Sequence, residues 1–410
     1  MSPLPHRVVI TGIGAISPYG TGLPAFWNGL RTASNPLSFS STLKAVVGAV
    51  PSSSDPCATY KPAQLREMSR GSIFAVTAAS EALKDAGIDE MGEGFHDETA
   101  VNIGMGIADL EAIHDAGQKI ANGQTRRISP YFVPKILTNI PGSYVALKYN
   151  LRGGNSSTTT ACATGASSIG EAFNAVRFGL ARRAVAGAVE SCLNPTAVEG
   201  FRRMRALASS EDATASRPFD EQRNGFVLSE GAGIVVLERL EDVISRPGTT
   251  IYAEVLGLGY GNDAYHLTAP SESGLGSTLC MRRCIINAGI EAGNVGYVNA
   301  HATSTPIGDK AEAASISTVK PGVAVSSIKG HTGHSLAAAG ALETIATVMS
   351  LQEGVIIGTA NLEKTDIEAD VDLVKDSSVP WKSADRRIAL MNSFGFGGAF
   401  VSLCLGEYRP

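Results

Sequence analysis

The 410-residue chain contains no Cys-x-x-Cys pair among Cys57, Cys162, Cys192, Cys280, Cys284 and Cys404. That absence argues against a disulfide framework or a zinc knuckle. No apolar run reaches the ~18 residues that a membrane span needs, so no membrane partner is expected. The chain also lacks a basic excess. Its net charge of −5 offers no global field for nucleic acid, and an acidic partner would need a local basic patch. No signal peptide is legible before the strand-like Arg7-Val8-Val9-Ile10, which points to a reducing compartment; a removed transit peptide would leave no trace. Gly12-Ile13-Gly14 misses the third glycine of a dinucleotide fingerprint, so it is a weak phosphate-loop signal.

What is present is an ordinary core-forming composition, 44% hydrophobic and 18% charged, with 45 glycines for tight turns and close backbone contacts. The length suits two domains or one duplicated unit. Short β-branched runs alternate with longer helical stretches, which predicts an α/β fold. Strands are expected at residues 8–11, 100–103, 158–161, 184–188, 233–237, 251–258, 297–300, 323–326, 388–391 and 400–405. Helices are expected at residues 24–31, 71–86, 165–180, 276–288, 310–318 and 336–351. Val8-Val9-Ile10-Thr11-Gly12-Ile13-Gly14 and Ala253-Glu254-Val255-Leu256-Gly257-Leu258-Gly259 share a strand-then-Gly-x-Gly shape. A duplication with its seam near residue 250 is therefore expected, giving halves 1–250 and 251–410.

Four segments carry chemistry. In Thr160-Ala161-Cys162-Ala163-Thr164-Gly165, small residues open into a helix, so Cys162 is expected at a helix N-terminus. The dipole there should lower the thiol pKa and yield a nucleophilic thiolate. His301 follows a short strand and opens the hydroxyl-rich loop Ala302-Thr303-Ser304-Thr305. Ser326-Ser327-Ile328-Lys329-Gly330-His331-Thr332-Gly333-His334 again joins a strand to a helix. Asn392-Ser393-Phe394-Gly395-Phe396-Gly397-Gly398 offers exposed N–H groups beside two aromatics. Metal binding by His331-x-x-His334 lacks a carboxylate at matching spacing. A Cys–His protease would not need two histidines and a lysine. Cys280 and Cys284 read as core residues on one helix face.

Together these motifs resemble the β-ketoacyl-acyl-carrier-protein synthases of the thiolase-like condensing-enzyme superfamily, especially the type II elongating class. Ser216-Arg217-Pro218-Phe219-Asp220, Gly225-Phe226-Val227 and Asp263-Ala264-Tyr265-His266 extend the match over nearly the whole chain. The resemblance implies a duplicated five-layer αβαβα architecture, a homodimer, acyl carrier protein as partner, and no cofactor beyond the carrier's phosphopantetheine. It implies decarboxylative condensation through an acyl-Cys162 intermediate, with His301, His334 and Lys329 catalytic. Backbone N–H groups of Cys162 and Phe394 would form the oxyanion hole, and Phe394 the gate. Thr303, Thr305, Ile107 and Phe396 would meet substrate, and Arg126, Arg127, Arg202, Arg203 and Arg205 the carrier protein. Glu343 would pair with the lysine, and Asn299, Glu343 and Asn392 match a monovalent-cation site of relatives. Polyketide ketosynthases share this chemistry, whereas a non-catalytic chain-length subunit usually lacks the cysteine. Ala302 stands where bacterial members often carry Gly, and with Tyr131-Phe132-Val133-Pro134-Lys135 it tilts the resemblance toward mitochondrial members; cytoplasm and plastid are the alternatives.

Overall fold

The computed structural model describes residues 5–88, 92–375, 378–383 and 385–409. The alternating apolar runs build one sheet, with 12 strands among the described residues; eleven form its path, and the two-residue strand Gly20–Thr21 pairs only with the end of the first strand. In the first part lie β1 (Val8–Ser17), β2 (Thr99–Met105), β3 (Asn155–Ser156), β4 (Arg183–Glu190) and β5 (Gly231–Arg239). In the second lie β6 (Ala253–Asn262), β7 (Tyr297–Asn299), β8 (Ala324–Ser326), β9 (Asp372–Leu373), β10 (Ile388–Gly395) and β11 (Ala399–Gly406). The order across the sheet is β9-β8-β7-β10-β11-β6-β1-β5-β4-β2-β3. The middle junction is a short antiparallel pairing of Val8, Val9 and Ile10 with Val255, Glu254 and Ala253.

Read outward from that junction, both sides repeat one plan. The order β1, β5, β4, β2, β3 is matched by β6, β11, β10, β7, β8, with β9 added beyond. Each side has two antiparallel pairings followed by two parallel ones. The first strand of each also carries a bulge, between Ile10 and Gly12 in β1 and between Val255 and Gly257 in β6.

The helices that matter for the site are α1 (Arg70–Asp85), α2 (Thr164–Arg177), α3 (Leu275–Ala288), α4 (Pro306–Val319) and α5 (Ala339–Glu353). The Gly-x-Gly repeats let α1 and α3 dock. A Cβ on Gly14 would lie 1.9 Å from the Ala78 carbonyl, and one on Gly259 2.2 Å from that of Cys280. Both motifs therefore serve strand–helix packing. Three apolar clusters separate the layers. Phe74 and Leu83 of α1 pack on Ile103 and Val185. Ile169 and Phe173 of α2 and Leu342 and Ile345 of α5 fill the space between the two half-sheets, against Val235 and Met391. Met281 of α3 and Ile316 of α4 pack on Val298 and Leu390. Helix–sheet–helix–sheet–helix is thus the layering, the five-layer fold expected.

One expected strand is displaced. Residues 158–161 form no ladder, and the strand is the shorter β3 just before them. Local hydroxyls satisfy the backbone instead: Thr160 N–H donates to Thr164 Oγ1 at 2.9 Å, and Thr164 Oγ1 donates to the Ala161 carbonyl at 2.7 Å. Among the described residues, no helix is long and apolar enough to cross a membrane. Cys280 and Cys284 are fully buried, as expected of core residues.

Candidate active site

The Thr-rich turn ends in a 3-10 turn, Ala161–Ala163, that delivers Cys162 to the N-terminus of α2. Ala161 adopts a left-handed φ of 50° there, which lifts the following side chain out of the helix line. The strand β10 passes close by: a Cβ on Gly395 would sit 2.3 Å from the Thr160 carbonyl, so only glycine permits the approach. Ser393 Oγ donates to the Cys162 carbonyl at 3.2 Å and fastens strand to turn.

Cys162, His301 and His334 all line one cavity of about 400 Å³, together with Thr303, Thr305, Phe394 and Phe396. The imidazoles of His301 and His334 stand edge to face, 5.5 Å between ring centres. His334 also packs edge-on against Phe226 at 5.2 Å, and His301 lies 5.6 Å from the Phe394 ring. Lys329 is buried at 1% exposure and ion-paired with the equally buried Glu343. Its Nζ also donates to the His301 carbonyl at 2.7 Å and lies 3.4 Å from His301 Nδ1. An ammonium has no lone pair, so it selects the His301 tautomer with Nδ1 bare and the proton on Nε2. His331 is turned elsewhere, its Nε2 2.9 Å from the Gly358 carbonyl, so the two histidines of that motif do not converge.

Electrostatics corrects one expectation. Burial pushes the Cys162 thiol up to about 12, against the pull of Lys329 and of the N–H groups of Phe396 and Cys162. The helix N-terminus is present, but desolvation outweighs it, and the resting thiol is protonated. Burial and Lys329, with His334 adding to them, hold His301 well below the usual imidazole range. Burial and Lys329 do the same for His334, so both rings are neutral near pH 7.

A second correction concerns the oxyanion donors. The N–H groups facing the sulfur are those of Cys162 and Phe396. Phe394 is still inside β10 and contributes its ring, tilted against that of Phe400 with 4.6 Å between ring centres. The chain must leave the strand before its N–H can turn inward, and it does so at Phe396, where Gly397 and Gly398 take φ of 85° and 75°.

Two acids on the first turns of α4 were missed in the sequence. Glu312 accepts the N–H groups of His301 at 2.9 Å and Ala302 at 2.7 Å, and the Asn392 amide at 3.0 Å. Asp309 accepts those of Thr303 at 3.1 Å and Thr305 at 3.2 Å. Burial raises Asp309 to about 6 and Glu312 to about 7. The signal was the Thr305-Pro306 helix start with acids three and six residues past the proline.

The remaining expected residues divide. Thr303 and Thr305 line the cavity, their hydroxyls 3.2 Å apart. Ile107 does not line it; its side chain packs in the apolar cluster holding Cys162, Cys192 and Val198. Arg205 lies at the cavity mouth; Arg126, Arg127 and Arg203 are exposed away from its lining. Arg202 pairs with Glu199 and donates to the Lys44 carbonyl at 2.9 Å. Asn299 Oδ1 and Glu343 Oε2 are buried acceptors without a hydrogen-bond partner, a pair that fits a small cation. Asn392 Oδ1 instead takes the Ser402 hydroxyl at 2.8 Å.

A thiol facing two neutral imidazoles and a buried lysine, inside a duplicated five-layer fold, defines a condensing enzyme that transfers acyl groups. Residues 6–243 match the beta-ketoacyl synthase N-terminal domain and residues 252–363 its C-terminal domain, and the chain belongs to that family. It is 40% identical to the mitochondrial 3-oxoacyl-[acyl-carrier-protein] synthase of Arabidopsis thaliana, over 97% of this chain and 92% of that one. It is 38% identical to 3-oxoacyl-[acyl-carrier-protein] synthase 2 of Rhizobium meliloti, over 98% and 99% of the two chains. A beta-ketoacyl synthase structure from Burkholderia phymatum superposes with a TM-score of 0.89 at 30% identity, over 98% and 100% of the two chains. A type II polyketide ketosynthase solved with its acyl-carrier protein does so at 0.89 and 29%, over the same shares.

Proposed function

We propose that the chain condenses an acyl-carrier-protein thioester with malonyl-carrier protein during fatty acid elongation. The observation carrying this reading is the convergence of Cys162, His301 and His334 on one cavity. The phosphopantetheine arm enters past Thr303 and Thr305 and presents its thioester to Cys162. The sulfur attacks the carbonyl carbon, and the N–H groups of Cys162 and Phe396 hold the oxyanion. The carrier thiol leaves with the proton that Cys162 gives up, so the exchange is proton-neutral. The malonyl thioester then places its carbonyl oxygen against the imidazole N–H groups. As the carboxylate carbon departs as carbon dioxide, its bonding pair becomes the enolate, which those donors stabilise. One such donor is worth about 3–4 kcal/mol. The enolate carbon attacks the acyl-Cys162 carbonyl, and the C–S bond breaks with its electron pair going to sulfur. The Cys162 thiolate takes one proton from water to return to the resting thiol, and β-ketoacyl-carrier protein is released.

Lys329 serves as fixed charge and tautomer selector, with Glu343 as its counter-ion. The carbanion comes from decarboxylation, so the reading calls on no cofactor beyond phosphopantetheine. A monovalent cation at Asn299 and Glu343 would be structural. Carrier protein is the partner that Arg205, at the cavity mouth, best serves, and the working unit is a homodimer. Elongation is favoured over polyketide synthesis because identity to the named 3-oxoacyl synthases exceeds that to the polyketide ketosynthase. A mitochondrial location rests on the plant relative's name.

Purified protein given acyl- and malonyl-carrier protein should release carbon dioxide and β-ketoacyl-carrier protein, followed by mass. Condensation surviving intact in Cys162→Ala would overturn the mechanism.

A further inference from the structure

Arg223 is buried, yet it does not line the cavity, and the mechanism above does not use it. It joins two segments that do. Asn224, Gly225 and Phe226 form one part of the wall. The loop that presents Thr303 and Thr305 and runs through Pro306 into α4 forms another. The guanidinium grips that loop from behind. Its Nε donates to the Thr305 carbonyl at 3.3 Å, and Nη2 donates to the Pro306 carbonyl at 3.0 Å. Nη1 donates to the Asp220 carbonyl at 2.6 Å and pairs with Asp366, while Nε lies 3.8 Å from Asp309. The chain around Arg223 adds three backbone ties. Arg217 N–H donates to Ser304 Oγ at 3.1 Å, Phe219 N–H to Asp309 Oδ2 at 2.9 Å, and Gly225 N–H to the Ser304 carbonyl at 2.9 Å.

Both sides of this clamp carry strained backbone. Phe219 and Ser304 hold left-handed φ of 64° and 71°, and both residues are fully buried. Residues other than glycine keep such conformations only where their neighbours over-determine them. A buried guanidinium is itself unfavourable unless its donors find partners. Here two of its nitrogens reach the carbonyls of consecutive residues, a fork that a lysine cannot reproduce. His301 is fastened by other groups: Glu312 accepts its N–H, and Lys329 donates to its carbonyl. The catalytic end of the loop and its substrate-facing end are therefore held separately.

We propose that Arg223 is a positioning residue: it clamps the Thr303–Pro306 loop to the 224–226 wall and so sets the channel by which the pantetheine arm reaches Cys162. The proposal rests on the function proposed above and assigns it a residue that touches neither substrate nor nucleophile.

The test is alkylation of Cys162 by iodoacetamide, read at that residue by mass spectrometry, with and without the S-methyl thioether of pantetheine. That probe carries no thiol to consume the reagent and no thioester to acylate the enzyme. Without it, wild type and Arg223→Lys should react at the same rate. The probe concentration that halves the rate should rise about tenfold in the variant, the lower end for a hydrogen bond lost to a charged group. With carrier-protein substrates the variant should raise KM by a similar factor and keep kcat within about twofold. An unchanged half-protecting concentration would overturn the proposal. So would a rate without probe that falls as far as protection does, which would mean a distorted site, or a wild type that the probe fails to protect. Should Arg223→Lys not fold, Asp366→Ala, at the part-exposed outer end of the clamp, decides by the same readings. A severalfold shift there supports the clamp, and no shift overturns it. Alkylation does not require condensation, so protection in a wild type that fails to condense would count against the proposed function and leave this inference standing.

Discussion

The two halves of the molecule share a plan and differ in what they place on it. Counted from the ends of matching strands, Ile107 corresponds to His301, each two residues past its strand. Cys162, in the middle of the Ala161–Ala163 turn, corresponds to Ala337 in the Leu336–Ala338 turn. Each of those turns opens with a left-handed non-glycine residue and leads into the central helix, α2 or α5. Glu190 and Gly395 each close an eight-residue strand. The backbone thus supplies two equivalent nests at the inner layer. Side chains make one of them reactive. Where the first half presents a thiol, the second has a methyl. Where the second presents imidazole, the first has an aliphatic side chain. Asymmetry is what the chemistry needs, because the nucleophile and the donors that hold the enolate must face each other across one cavity.

The sharpest break of this comparison is to move the thiol. Cys162→Ala should remove condensation by at least about 10³-fold, since the covalent acyl intermediate is lost. Adding Ala337→Cys to that variant should restore nothing, because Ala337 is not among the residues lining the cavity that holds His301 and His334. Product mass checks both. Recovery by the second cysteine would show that the two nests are chemically equivalent.

Next in size are the donors. His301→Ala and His334→Ala should each slow malonyl-carrier-protein decarboxylation by about 10²–10³-fold, the worth of one preorganised donor. Carbon dioxide release with Cys162 already alkylated isolates that step from acyl transfer. Ile107→His, the converse substitution, should not raise it.

Much of this was legible beforehand. Cys162, His301, Lys329 and His334 each stand at a strand-to-helix junction that small residues announce. The paired Gly-x-Gly strands disclosed the duplication. What the sequence hid depends on distance through space. The burial that keeps Cys162 protonated comes from an apolar cluster remote in sequence, Val198, Phe226 and Leu336 among its members. The inward N–H belongs to Phe396 because the strand runs on through Gly395 before it turns. Glu312 and Asp309 read as ordinary first-turn acids of a helix, and only the fold brings the His301 loop over them. Residues 158–161 looked like a strand because threonine favours one, yet here the Thr164 hydroxyl bonds the local backbone instead.

The scaffold itself can be tested for equivalence. Gly14→Ala and Gly259→Ala each force a methyl into a helix carbonyl, at 1.9 Å and 2.2 Å. Each should cost about 1–3 kcal/mol or more, by the usual price of overpacking, and by similar amounts. Urea midpoints at constant m-value measure this. A large loss in one half with almost none in the other would show that only one half depends on close docking.

The smallest effect separates the halves by pH. In the second half, His301 and His334 stay neutral in the fold while their unfolded counterparts take up protons below about 6.5, so their contribution to stability falls as pH drops through that value. Asp309 and Glu312 act oppositely. Raised to about 6 and about 7, they keep protons that the unfolded chain has already lost, and they cost stability as pH rises to those values. By pH 7 the Asp309 contribution has largely run its course, while Glu312 is about half titrated. Glu190, held protonated to about 8, is then the carboxyl with the most still to lose between the two states. From pH 7 to 8 the unfolded form binds fewer protons than the folded one, so the slope is negative, at most about 1.4 kcal/mol per unit. Wild type should lose about that amount across the interval, and Glu190→Gln distinctly less, the small part left to Glu312. Chemical denaturation at pH 7.0 and 8.0 reads the difference, and parallel losses in both proteins would assign the alkaline slope to other groups.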